Sequence, residues 1–132
     1  MFAYVMLGTN DPERAVRFYG PLMAILCQPQ CWADEDGVSW GSLDNYDVPG
    51  LCIGRPFDRK AASAGNGVMV AFRAPTVAEV QQLYSTAIEN GGTDEGRPGL
   101  RPQYGPGFYA AYVRDPDGNK LAFACYHAGE DV

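Results

Sequence analysis

The feature that most constrains this chain is that it repeats itself. Residues 3–9 form an apolar run rich in Val, Leu and Tyr, and Val68-Met69-Val70-Ala71-Phe72 forms another. Tyr4 maps to Met69, Asp11 to Thr76, Phe18 to Leu83, Tyr19 to Tyr84 and Met23 to Ile88, each pair 65 positions apart. Asp11-Pro12-Glu13 supplies an N-cap acceptor, a proline suited to the first helical position and an acid for the positive end of the dipole. Thr76-Val77-Ala78-Glu79 reads as a capping box. Behind the first cap, Ala15, Phe18, Leu22, Met23 and Leu26 recur at helical spacing. Strand, cap and apolar stripe agree on one register, so the chain reads as two copies of one unit.

The rest of each half completes that unit. Residues 28–50 read as two short strands around Asp36-Gly37, followed by a loop ending at Pro49-Gly50. Leu51-Cys52-Ile53-Gly54 reads as a strand stopped by Pro56. In the second half the helix ends at Asn90-Gly91-Gly92, and a Gly/Pro-rich loop is expected over 96–107. A hairpin then occupies residues 108–126, turning at Asp115-Pro116-Asp117-Gly118-Asn119. Each half is thus β-α-β-β-β, with one module over about 1–57, a small polar linker over 58–66 and a second module over about 67–127. A helix covers one face of such a unit, and the other face must meet a second copy or line a cavity. The expected fold is α+β: tandem β-α-β-β-β modules forming a curved, mostly antiparallel eight-stranded sheet with helices outside.

Composition narrows the function. Ten basic against sixteen acidic residues give a net charge of −6, which disfavours nucleic acid and anionic membrane as partners, since both select positive surfaces. No apolar run approaches the roughly 18 residues of a membrane span. The first residues lack the basic start of a signal peptide, so a cytoplasmic protein is expected. Cys27, Cys31, Cys52 and Cys125 have no disulfide-framework spacing and read as reduced thiols. Asp115-x-Asp117-x-Asn119 has the opening of a calcium loop, but Lys120 stands where glycine is required and Tyr126 where glutamate is, so it reads as a turn.

Three stretches carry a family resemblance: "YVMLGTNDPERAVRFY", "VMVAFRAPTVAEVQQLY" and, most specifically, "YVRDPDGNKLAF". Together they span nearly the whole chain, which resembles the vicinal oxygen chelate superfamily of glyoxalase I, extradiol dioxygenases and bleomycin and fosfomycin resistance proteins. The resemblance implies paired β-α-β-β-β modules, commonly a dimer, and in catalytic members a divalent metal held by His, Glu or Gln from the first and last strands of each module. Carried over one at a time, those positions fall on Tyr4, on Met69, on Ala122 and on the strand around Cys52, with Cys52 or Ile53 as the fourth. Alanine coordinates nothing, a thioether is a poor ligand for these metals and a phenol seldom binds them. His127 is the lone histidine, so a chain cannot supply a two-histidine site. The expectation is no metal cofactor, although the superfamily usually has one.

Strand alternation puts Tyr4, Met6 and Gly8, then Met69, Ala71 and Arg73, then Ala122, Ala124 and Tyr126 on the inner face, if Val5, Leu7, Val68, Val70, Leu121 and Phe123 pack under the helices. Tyr4 and Met69 either fill the space left by the metal or border a pocket opened by the small Ala122 and Ala124, with Tyr4 and Cys52 as its polar points. Trp32, Trp40, Tyr104, Phe108, Tyr109 and Tyr112 are candidate aromatic contacts at its mouth. Arg55, Arg73 and Arg101 could pair with a ligand carboxylate or phosphate. The leading expectation is a homodimeric protein that binds or sequesters an aromatic or cationic small molecule through Tyr4, Cys52, Met69, Arg73, Ala122, Trp40 and Tyr109. The alternatives are a glyoxalase-type lyase, isomerase or dioxygenase with a divergent site, and a partner subunit without a ligand.

Overall fold

The computed structural model describes residues 1–129. The first module runs β1 (Tyr4–Gly8), α1 (Pro12–Ile25), β2 (Gln30–Ala33), β3 (Gly37–Trp40) and β4 (Gly50–Gly54). The second runs β5 (Met69–Arg73), α2 (Val77–Glu89), β6 (Thr93–Leu100), a single 3-10 turn at Pro102–Tyr104, β7 (Tyr109–Arg114) and β8 (Lys120–Cys125). Both caps form as the sequence dictates. Asp11 accepts from the Arg14 N–H, and Thr76 accepts from the Glu79 N–H, each at 3.1 Å.

The eight strands are divided between two four-stranded sheets, ordered β1-β4-β3-β2 and β5-β8-β7-β6. In each, the first strand lies parallel to the last and the other pairs are antiparallel. The repeat is therefore exact in topology. Tyr4 opposes Gly50 and Met69 opposes Lys120, so Cys52 opposite Met6 is the counterpart of Ala122 opposite Ala71.

One departure from the sequence reading lies at 93–100, where β6 occupies part of the expected loop. Gly96, Pro98 and Gly99 are tolerated because β6 is an edge strand that bulges twice against β7. A second concerns Val68, which precedes β5 and stays exposed instead of packing under a helix.

A single core joins the modules. Phe18, Tyr19, Leu22 and Met23 of α1 and Val80, Leu83 and Ala87 of α2 pack with Leu7, Val38, Leu51, Ile53, Val113, Leu121 and Phe123 of the strands. The helices touch each other at the seam, where a Cβ on Gly92 at the end of α2 would lie 3.0 Å from the Phe18 ring.

Polar groups lock the same seam. The buried Asp115 accepts from the Tyr19 hydroxyl at 2.5 Å, from Asn119 Nδ2, and from the N–H groups of Asp117 and Asn119. Asp117 accepts from the Thr9 hydroxyl at 2.5 Å, the Asn10 N–H at 2.9 Å and Arg14 Nη2 at 2.7 Å. Asn119 Nδ2 also reaches the Gly8 carbonyl. Gly118, at φ +91°, closes the turn in a conformation that side chains rarely adopt. The Asp115–Asn119 turn thus ties the last hairpin to the start of the first helix.

Candidate functional site

Because a helix covers only one face of each sheet, two faces stay open. Pairing registers assign their residues. On the first sheet they are Tyr4, Met6, Ser39 and Cys52, with Trp32 beside Ser39. On the second they are Met69, Ala71, Arg73, Ala110, Tyr112, Lys120, Ala122 and Ala124. Ile53 points the other way and is 1% exposed, so Cys52 is the residue on the open face.

The two groups lie on separate sheets. Met69 and Ala122 share one face, as do Tyr4 and Cys52, but β1 and β5 make no contact among the described residues. Tyr4, Met6 and Met69 are 59%, 51% and 44% exposed. Trp40 and Tyr109 stand on the helix-covered faces. Trp40 is buried with its ring 6.1 Å from that of Tyr19, and the Tyr109 hydroxyl accepts from Gln81 of α2 at 3.1 Å. Their parity in β3 and β7 decides this: Trp40 opposes Leu51 and Tyr109 opposes Cys125, both of them core residues.

Over the open face of the second sheet lies a wide-mouthed, solvent-open cavity of about 550 Å³. Met69, Tyr104, Phe108 and Tyr112 give it apolar walls; Glu95, Gln103, Arg101 and Lys120 give it polar ones. Tyr104 meets Phe108 edge-on at 5.5 Å, and Phe108 stacks on Tyr126 at 5.6 Å. The Tyr112 ring has two cations against it, with Arg101 Cζ 5.5 Å and Lys120 Nζ 5.6 Å from its centroid. β6 approaches closely here, since a Cβ on Gly96 would lie 2.8 Å from the Tyr112 ring and 3.4 Å from Arg101 Nη2.

Tyr104, Phe108, Tyr112 and Arg101 were legible as candidates in the sequence, whereas Lys120 and Glu95 were not. Lys120 precedes Ala122 by two residues on the same strand, so alternation alone places it on the same face. Glu95 sits in the bulged strand β6, one residue before the stretch expected to be a loop, and nothing in the sequence marks it.

The donor set at the family's metal positions does not fit a divalent ion. Met69 offers a thioether and Ala122 a methyl group, while Tyr4 and Cys52 stand on the other sheet. Among the described residues no group of three or more His, Cys, Asp or Glu side chains is placed to hold a metal. No helix among them is long and apolar enough to cross a membrane.

Solved structures share this architecture. A glyoxalase/bleomycin resistance protein from Albidiferax ferrireducens is 32% identical, with 95% of this chain and 98% of that chain covered and a TM-score of 0.83. A glyoxalase-related enzyme from Fulvimarina pelagi is 22% identical over 95% of this chain and 87% of its own, with a TM-score of 0.73. Lactoylglutathione lyase from Agrobacterium tumefaciens, at 19% identity, covers 98% of this chain and 93% of its own with a TM-score of 0.64, a likeness of fold. No curated protein matches the chain. The sequence model of the Glyoxalase/Bleomycin resistance protein/Dioxygenase superfamily matches residues 29–123, and the chain, with its paired β-α-β-β-β modules, belongs to that superfamily.

Proposed function

We propose that this protein binds a small organic molecule over the open face of its second sheet, using its own side chains and no divalent metal at the positions the family uses for one. The observation that carries the reading is the cavity at Met69. It places a thioether and three aromatic rings around about 550 Å³ of space, within the size and apolar character of small-molecule sites. Substitution at Met69 and Ala122 removes the Lewis-acid route of the family's enzymes and leaves shape, aromatic surface and charge to hold a ligand.

A second copy of the chain is the expected partner. Both β1 and β5 are edge strands with unpaired outer backbones. Phe2, Tyr4, Met6, Trp32 and Met69 all remain exposed, more apolar surface near the open faces than scattered surface residues account for. A partner against these faces would shelter the cavity from water.

The test is amide NMR of chelator-treated protein titrated with a library of aromatic fragments. Binders should shift Met69, Gly96, Tyr112 and Lys120 equally before and after chelation. Shifts that disappear with chelator and return with zinc or manganese, or that map elsewhere, overturn the reading.

A further inference from the structure

The charges around the cavity name its ligand class more narrowly, and this inference rests on the binding reading above. We infer that the site takes an aromatic compound bearing an oxyanion, which Arg101 and Lys120, the two cations beside Tyr112, receive.

Charge bookkeeping comes first. Among the described residues Glu95 is the one carboxylate lining the cavity, and it is already engaged by Arg114 Nε at 2.9 Å. Arg114 is further fixed by donating to the Gly118 carbonyl at 3.0 Å. That pair is neutral as a unit. Arg101 and Lys120 make no ion pair among the described residues. Two cations without an ion-pair partner among the described residues therefore face one cavity in a protein whose net charge is −6. Overall acidity suggests a cationic ligand, but local charge governs what binds at contact distance, and screening removes the rest within about 10 Å.

Preorganisation is the second observation. Arg101 Nη2 donates to the Arg97 carbonyl at 2.6 Å. The guanidinium lies over two glycines: a Cβ on Gly99 would be 2.9 Å from Nη1, and one on Gly96 would be 3.4 Å from Nη2. Its Cζ lies 5.5 Å from the centroid of the Tyr112 ring. A guanidinium that donates to two backbone carbonyls beside an aromatic ring keeps further N–H donors for an oxyanion, with little side-chain freedom left to lose on binding. Lys120 approaches the same ring from the adjacent strand as a compact point charge. Met69, Phe108 and Tyr104 supply the apolar wall for the aromatic part of the ligand.

The experiment uses four probes of one shape on the full chain: benzoate, phenyl phosphate, benzyl alcohol and benzylamine. Affinities come from amide NMR titration. Benzoate or phenyl phosphate should bind at least about tenfold more tightly than benzyl alcohol, as a charge-assisted contact warrants, with benzylamine weakest. The comparison of the two anions tells a carboxylate site from a phosphate site. Lys120→Met keeps the stem and removes the charge, so it should weaken both anions by more than it weakens benzyl alcohol and narrow the preference; Arg101→Gln should act in the same direction, and the double variant should lose the preference. Equal binding of benzyl alcohol, or tighter binding of benzylamine, overturns the anion assignment while the binding site itself stands. Loss of all four together, with no shifts at Met69 or Tyr112, overturns both.

Discussion

Asp115 has four donors directed at it and a tyrosine buried beside it. Deleting the carboxylate orphans the Tyr19 hydroxyl and two backbone N–H groups in a region with little access to water. Each such group costs about 1–3 kcal/mol, so Asp115→Ala should destabilise by about 3 kcal/mol or more in urea unfolding. Tyr19→Phe leaves Asp115 its three other donors and should cost only about 1 kcal/mol. The reverse ranking would place the Asp115 carboxylate outside the lock. Burial, and then the neighbouring Asp115 carboxylate, raise the Tyr19 hydroxyl well above its usual pKa. The sign follows from linkage. Below about pH 10 both the folded and the unfolded chain keep this proton, and its contribution to stability is fully present. Above that, the unfolded chain ionises while the folded one does not, so stability falls as pH climbs, by up to about 1.4 kcal/mol per unit. Tyr19→Phe removes this one titration, so unfolding free energy should decline less steeply above about pH 10 in the variant than in the parent. Parallel curves would show that Tyr19 ionises normally.

At the scale of elements, β6 was least visible in the sequence, and it brings Glu95 and Gly96 to the cavity. Gly96, Pro98 and Gly99 are strand breakers in isolation, and only the edge position with its two bulges accommodates them. Gly96→Ala sets a methyl group 2.8 Å from the Tyr112 ring. Such overpacking costs about 1–3 kcal/mol, and here it should displace Tyr112 and weaken fragment binding while the far-UV spectrum stays unchanged. Retained affinity would show that the ring need not be where it is. The caps, by contrast, were readable directly: Asp11 and Thr76 stand at equivalent positions and each accepts the expected N–H. Strand parity was readable as well, which is why Met69, Ala71 and Ala122 fell on the open face. Trp40 and Tyr109 could not be placed by parity because their strand boundaries were not fixed by sequence, and an aromatic near a loop reads alike whether it faces core or solvent. The relation between Tyr4 and Met69 was beyond sequence altogether, since the repeat fixes each module but not how two modules meet.

For the whole molecule, two half-open sheets in one chain predict association. Light scattering after gel filtration should give a species of twice the 14.3 kDa chain mass. Charging the open face of β1 with Met6→Glu should shift it toward the monomer without lowering helix content, and a monomeric parent protein would remove the argument for a second copy. The seam lock has a consequence for how the chain is made. Thr9, Asn10 and Arg14 take their partner from Asp117, and the Gly8 carbonyl takes its own from Asn119. The end of β1 is therefore completed by a turn that follows it 108 positions later in the chain. While the nascent polypeptide is still being lengthened, the Tyr19 hydroxyl of α1 lacks its protein acceptor, and the first module must wait, guarded or at risk of clumping, until the β7–β8 hairpin clears the exit tunnel.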